Sequence, residues 1–272
     1  MSGRPYAEVI GDPIAHSKSP LIHNFWLAKL GIDAEYRACH VRAEELAEYF
    51  ARRRGDAEWR GCNVTIPHKI AACGLVDAVD PEATAIGAIN TVIGRAGRLA
   101  AINTDDAGFI DPLRGFPRTI KRATLIGAGG AARAILAALN SMEVCNIELI
   151  NRDQSKLFEL ASAFPAIRTV TALVQGLTLS PTDLVVNATA LGMAGQPPLD
   201  VRLDGLAERT IVYDIVYSPL ETPLLADARK RGMRTIDGLE MLVGQAAVAF
   251  AFLFDLPAPR EHDAELRALL TA

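Results

Sequence analysis

Ala123-Thr124-Leu125-Ile126-Gly127-Ala128-Gly129-Gly130-Ala131-Ala132 is the stretch on which the fold of this chain turns. A short apolar run leads into a glycine-rich turn, and the turn opens a helical stretch over residues 131–141. A second apolar run follows at residues 147–150. That order is the strand–turn–helix–strand unit that binds a dinucleotide. The first glycine permits the tight turn, and the second lets the backbone approach a pyrophosphate. The third position, Ala132 here, needs only a small residue for helix–strand packing. The free N–H groups at the helix start then face the anion. Alone the pattern is weak, because many glycine turns are only turns; the strand before it and the helix and strand after it carry the reading.

Outward from that loop the rhythm continues. Apolar strands are predicted at residues 123–126, 147–150, 167–170, 184–187, 211–215 and 234–236, with helices at 131–141, 154–163 and 223–231. Continuous apolar strands alternating with helices indicate a doubly wound parallel sheet. The first hundred residues mix elements differently: strands at 6–10, 36–41 and 61–66, and helices at 20–30, 43–54 and 67–79. A hairpin at 89–93 and 99–102 turns at Arg95-Ala96-Gly97-Arg98. Ser19 is placed as the N-cap of the 20–30 helix, with Pro20 in its first turn. The apolar helix 239–254 has no strand left to follow and should pack back on the first domain. The expected architecture is α/β in two lobes: residues 1–105 with 239–272 for the substrate, and a Rossmann cofactor domain over 106–238. A cleft between them would hold ligands at the carboxyl ends of the parallel strands.

Half of the 272 residues are hydrophobic and the formal charge is -4, enough for a sizeable core and without a basic stripe for nucleic acid. Arg52-Arg53-Arg54 reads as a solvated helix end. Cys39, Cys62, Cys73 and Cys145 lack metal-type spacing and read as buried thiols in a reducing compartment. No signal-peptide core or membrane-length apolar run is visible, so a soluble cytoplasmic protein is expected. A small molecule is the expected partner, with no nucleic acid, membrane or metal; a homodimer is left open.

The second strand of the cofactor unit ends in Asn151-Arg152-Asp153-Gln154-Ser155-Lys156. NAD-binding sheets place an acid there for the ribose 2′-hydroxyl; Asn151 occupies that place. Arg152 suits a 2′-phosphate, and Lys156 adds charge one turn on. Asp153 opposes this unless it caps the next helix. NADP is therefore expected over NAD.

Three polar clusters stand in the first lobe. In His16-Ser17-Lys18-Ser19-Pro20 an extended run would put both serine hydroxyls on one side, beside a helix start, as a carboxylate site; the alternative is a cap and a loop serine. In Asn63-Val64-Thr65-Ile66-Pro67-His68-Lys69 a lysine in the first turn of the expected helix is oddly placed for a surface residue and well placed for proton transfer. His68 ranks below it, since a lone histidine is more often structural. Asn90-Thr91 and Asn103-Thr104-Asp105-Asp106 flank the hairpin. Asp106 should cap the next helix and leave Asp105 free, although spacing alone does not separate the two.

Taken together, the sequence resembles the shikimate dehydrogenase family. The resemblance rests on the three clusters and the glycine loop, together with Gly87-Ala-Ile-Asn-Thr91, Asn187-Ala-Thr189, Leu191-Gly-Met193 and Glu240-Met-Leu-Val-Gly-Gln-Ala246, in order across nearly the whole chain. It implies reversible NADP-linked reduction of 3-dehydroshikimate to shikimate, with Lys69 and Asp105 as the acid–base pair. It further implies that Ser17 and Ser19 hold the substrate carboxylate, and that Thr65, Asn90, Asp105, Tyr217 and Gln245 bond its ring substituents. Gly127, Ala128, Gly129, Gly130 and Ala131 would cradle the pyrophosphate, and Asn151, Arg152, Asp153 and Lys156 would surround the adenosine phosphate. Thr189, Met193, Ile215 and Gly238 would complete the cofactor site on the nicotinamide side. On sequence alone Gln245 reads equally as a buried amide bonded to backbone, and Met193 as core filler. The adenosine segment lacks the threonine and final arginine typical of NADP-specific members, and Ile215 stands where methionine is common. The competing readings are a quinate or aminoshikimate dehydrogenase, a non-catalytic dinucleotide sensor and, more distantly, a methylenetetrahydrofolate dehydrogenase.

Overall fold

A computed structural model describes residues 3–116 and 119–272. The chain divides into two compact units, residues 1–108 with 242–272, and residues 109–241.

The first unit holds strands β1 (Tyr6–Gly11), β2 (Glu35–His40), β3 (Trp59–Val64), β4 (Ala78–Val79), β5 (Thr91–Arg95) and β6 (Arg98–Ile102) in the order β2-β1-β3-β5-β6-β4. The sheet is mixed: β1 runs parallel to β2 and β3, and β5 runs antiparallel to β3 and β6. At the hairpin turn Ala96 (φ 49°) and Gly97 (φ 76°) are both left-handed, the geometry that matches strand twist. Side chains alternate across the sheet. One face, with Tyr6, Ile10, Cys62, Val64 and Val92, packs on Leu46, Tyr49 and Phe50 of α2 (Leu46–Arg54). The other carries Tyr36, Asn63 and Thr91. The helix α1 (Ser19–Lys29) packs Trp26 edge-on against Phe250 of α8 (Gly238–Phe254), at 5.6 Å between centroids.

The expected 67–79 helix is not there. After β3 the chain makes turns and a 3₁₀ helix at Ala71–Leu75. The sheet edge captures the backbone a longer helix would need: Asp77 N–H bonds Leu99 O at 2.9 Å, and β4 pairs with β6. Two further corrections concern helix starts. Helix α1 begins at Ser19, so Ser19 lies inside the first turn; Lys18 occupies the cap position in helical conformation (φ −84°, ψ −6°), which excludes the extended Ser17–Ser19 run. The helix α3 (Pro81–Ile86) was not anticipated, although Asp80 as cap, Pro81 inside and Gly87 at φ 72° spell it. A later helix, α4 (Asp105–Ile110), precedes the second unit's sheet, and α9 (Asp263–Thr271) ends the chain.

The second unit matches the predicted pattern closely. Strands β7 (Arg122–Ile126), β8 (Asn146–Asn151), β9 (Ile167–Ala172), β11 (Leu184–Asn187), β13 (Ile211–Asp214) and β14 (Arg234–Ile236) form an all-parallel sheet in the order β14-β13-β11-β7-β8-β9. Helices α5 (Gly130–Ser141), α6 (Gln154–Ala163) and α7 (Pro223–Lys230) fall where the sequence placed them. The helix rhythm lapses between β9 and β13, where the chain instead pairs β10 (Leu177–Thr178) with β12 (Val201–Arg202). Among the described residues no helix is long and apolar enough to cross a membrane.

Candidate active site

Asn90, Lys69, Asp105 and Gln245 come from four separated segments of the first unit. Lys69 sits on the turn after β3, where its carbonyl accepts from Ile89 N–H at 2.9 Å. Asp105 opens α4, and its N–H donates to Asn103 Oδ1 at 2.9 Å. Lys69 Nζ donates to Asp105 Oδ2, with the two side chains only 14 and 6% exposed. A pair this buried persists only if its remaining polar atoms are satisfied. Asp105 Oδ1 accepts from Asn90 Nδ2 at 2.8 Å, and Asn90 Oδ1 accepts from Thr104 N–H at 2.8 Å. Gln245 uses one amide hydrogen on Leu242 O at 2.8 Å, so the backbone bond considered for it exists; its Oε1 faces Asn90 and Thr104.

Because the 67–79 helix is absent, a helix dipole does not explain Lys69; its partner carboxylate does. His68 is buried, and its Nε2 is occupied by Val41 O at 2.6 Å. Asn103, rather than Asp106, supplies the cap at the start of α4. Asp106 instead lies beside Glu82. Burial, with the neighbouring carboxylates, pushes the Asp106 carboxyl up to about 6 from 3.8. The folded protein therefore holds this proton more tightly than the unfolded chain, so this group's contribution to stability falls as pH rises from about 4 to about 6. Asp106→Asn should raise the melting temperature at pH 8 and leave it unchanged near pH 3. A thermal melt series in which the two proteins coincide at pH 8 would contradict this.

Ser19 is buried and Ser17 half-buried; Ser17 Oγ accepts Ser19 N–H at 3.3 Å. Lys18 turns away, donating to Leu270 O at 2.5 Å. Neither serine hydroxyl donates to another described residue, which leaves both hydrogens for an anion. Thr65 reaches its place because Gly11 is a glycine: a Cβ there would lie 2.6 Å from Thr65 Cγ2.

The second unit carries the dinucleotide features. Gly127 has φ 118°, and an added Cβ would stand 2.8 Å from Ala188 O. Around Gly129 nothing lies within 4 Å of such an atom. Helix α5 starts without any side-chain cap, so the N–H groups of Gly130 and Ala131 are offered outward. Ala132 is fully buried, as helix–strand contact requires. Asp153 caps α6, accepting from Ser155 N–H at 3.0 Å and Ser155 Oγ at 2.6 Å, which commits the acid that argued against NADP. Asn151 Nδ2 bonds Asp153 O at 3.1 Å. The Arg152 and Lys156 side chains are exposed and donate no hydrogen bond among the described residues, although the Lys156 charge lies near Asp153 and helps to lower its carboxyl pKa. A pyrophosphate and a 2′-phosphate fit this donor set. Thr189 is tied to Asn187 Oδ1 through its hydroxyl at 2.7 Å, while Met193 is exposed. Gly238 is required by close approach, since a Cβ would meet Ile215 O at 2.3 Å. Tyr217, beyond β13, has its phenol pKa raised by burial.

Sequence reasoning gave no role to Thr91, Thr104 or Asp214. Asp214 ends the apolar strand β13 fully buried, and burial raises its pKa. It accepts from Asn187 Nδ2 (2.9 Å), Thr222 Oγ1 (2.7 Å) and Val216 N–H (3.0 Å), tying two strand ends to the cap of α7. The signal was an acid closing an otherwise apolar strand.

A doubly wound parallel sheet with a glycine turn and an uncapped helix start defines the class of dinucleotide-binding proteins in architecture. Residues 9–92 match the family model described as the shikimate dehydrogenase substrate binding domain. The chain is 52% identical to the shikimate dehydrogenase (NADP(+)) of Sphingopyxis alaskensis, over 98% of this chain and 97% of that one. It superposes with a TM-score of 0.87, at 33% identity and covering 98 and 99% of the two chains, on the Thermus thermophilus shikimate 5-dehydrogenase in complex with NADP(H) and shikimate. A 5-ketofructose reductase of Gluconobacter shares the fold at a TM-score of 0.86 and 31% identity, covering 98 and 99%. The chain belongs to the shikimate dehydrogenase family.

Proposed function

We propose that this chain catalyses the reversible NADP-linked reduction of 3-dehydroshikimate to shikimate, a step toward aromatic amino acids. The observation that carries the reading is the buried Lys69–Asp105 pair, held by Asn90 in a unit that also offers two serine hydroxyl hydrogens with no acceptor among the described residues. Residues 1–105 and 239–272 then serve the substrate and residues 106–238 the cofactor, in a soluble cytoplasmic enzyme; the four free cysteines fit that compartment.

Oxidising a secondary alcohol breaks a C–H and an O–H bond. The nicotinamide, when bound, supplies the hydride acceptor. The chain's own residues manage the proton. In the reducing direction the Lys69 ammonium donates to the oxygen of the former carbonyl; in the oxidising direction Lys69 Nζ takes the hydroxyl proton. Asp105 orients Lys69 and accepts from a ring hydroxyl of the substrate. Ser17 and Ser19 donate to the substrate carboxylate, and Thr65, Asn90, Tyr217 and Gln245 bond the ring hydroxyls. Gly127 to Ala131 hold the pyrophosphate, with Thr189, Met193, Ile215 and Gly238 on the nicotinamide side.

For the adenosine end, Asn151, Arg152 and Lys156 favour NADP, with Asp153 withdrawn into its cap. Replacing Arg152 by Ala should lower the preference for NADP over NAD, measured as the ratio of kcat/KM values, by about ten- to a hundred-fold, the worth of one charge-assisted contact. A wild-type chain equally efficient with both cofactors would contradict that role. The function itself is tested by following reduced cofactor with shikimate, quinate and an aminoshikimate in turn; shikimate should be preferred.

A further inference from the structure

Asp105 ends a line of buried hydrogen bonds that starts on the edge strand β2 of the first sheet. Tyr36 on β2 and Asn63 on β3 are separated by β1, and both are buried. On the intervening strand Ala7 pairs with Tyr36 and Val9 with Asn63. Tyr36 Oη donates to Asn63 Oδ1 at 2.6 Å, and Asn63 Nδ2 donates to Thr91 Oγ1 at 3.0 Å. Thr91 Oγ1 donates to Asn90 Oδ1 at 3.0 Å, and Asn90 Nδ2 donates to Asp105 Oδ1 at 2.8 Å.

Two backbone groups fix the direction of that line. The Asn63 amide nitrogen also faces the Asn90 carbonyl at 3.3 Å, which can only accept, so its oxygen must face Tyr36. Thr104 N–H can only donate, and it lies 2.8 Å from Asn90 Oδ1, so the Asn90 amide hydrogens must face Asp105. Thr91 receives from Asn63 and has one hydrogen left, which goes to Asn90. Four donors therefore point the same way and finish on the carboxylate that holds Lys69. Bonds aligned in this manner polarise one another, and a charged terminus strengthens the last of them. At the head, His23 stacks flat on Tyr36, 4.0 Å between centroids with 4° between planes. Neither His23 ring nitrogen has a partner among the described residues, so His23 does not compete for the Tyr36 hydroxyl.

We propose that Tyr36 and Thr91 are positioning residues for proton transfer. Tyr36 acts on Thr91 through Asn63, Thr91 sets the Asn90 amide, and Asn90 in turn holds Asp105 toward Lys69. This rests on the reading of Lys69 and Asp105 as the acid–base pair.

Three variants test it. Tyr36→Phe removes only the head hydroxyl, Thr91→Val breaks the middle at nearly constant shape, and Thr91→Ser keeps the hydroxyl. With shikimate and NADP, kcat should fall about two- to five-fold for Tyr36→Phe and about five- to ten-fold for Thr91→Val, with the KM for shikimate moving less than about two-fold. Thr91→Ser should recover to within about two-fold of wild type, which a purely structural role would not require. If Thr91→Val does not fold in a parallel thermal melt, Tyr36→Phe and Thr91→Ser carry the test. Wild-type kcat in Tyr36→Phe together with any Thr91→Val that folds, or a Thr91→Ser several-fold slower than wild type, overturns the proposal. A wild-type chain that does not oxidise shikimate overturns the assignment of the pair itself.

Discussion

Lys69→Ala should lower kcat for shikimate oxidation by about two to four decades, the range that positioned acid–base groups supply. The loss should appear in kcat and kcat/KM alike, because the proton moves only in the transition state. NADP affinity should stay at its wild-type value, since Lys69 is not among the residues proposed to hold the cofactor. Deleting the ammonium also leaves the Asp105 carboxylate buried with Asn90 as its remaining side-chain donor, so some stability is lost as well. A thermal melt run beside the kinetics separates the two effects: a folded protein with turnover lost supports the acid–base role. Near-normal kcat with a raised KM would reduce Lys69 to a binding residue.

Gly127→Ala should raise the dissociation constant for NADP by about ten-fold or more, because a left-handed backbone and a backbone clash together cost on the order of 1–3 kcal/mol. The added methyl would stand 2.8 Å from the oxygen and 2.9 Å from the carbon of the Ala188 carbonyl, at φ 118°. Backbone cannot swing aside as a side chain can, so the turn itself must shift and carry the start of α5 with it. Gly129→Ala is the informative partner. It meets no protein atom within 4 Å, so it should fold normally, and any lost affinity reports the closeness of the cofactor rather than damage to the loop. Fluorescence titration with NADPH reads both. Gly127→Ala binding as tightly as wild type would remove the loop from the cofactor site.

The parallel sheet was legible because its central strands are buried on both faces, and apolar runs such as Leu184-Val185-Val186 leave little choice of structure. The first unit was harder to read. Residues 67–79 look helical by composition, yet the partner that decides their fate, strand β6, lies some twenty residues on and cannot be seen from local pattern. The start of α1 was misplaced by one residue for a related reason: Ser19 looks like a cap, but Lys18 is held by a carbonyl at the far end of the chain. In the candidate site, Lys69 could be singled out by residue type, although the helix argument used for it was wrong, while Asp105 was separated from Asp106 only through the family resemblance. The hydrogen bonds that make the site specific pass through Thr91, Thr104 and Asn63, polar residues in strands and turns that resemble ordinary loop chemistry until their burial is known. Asp153 shows the converse, a residue whose two roles were both visible in sequence and whose geometry selects the cap.

The most direct test is the initial rate of NADP reduction on adding shikimate to the purified chain, measured beside Lys69→Ala and Asp105→Asn at equal protein. The account predicts brisk turnover in the wild type and turnover reduced by about a hundred-fold or more in both variants. Cofactor binding without shikimate oxidation in the wild type, or two variants that keep pace with it, would contradict the proposed proton-transfer pair.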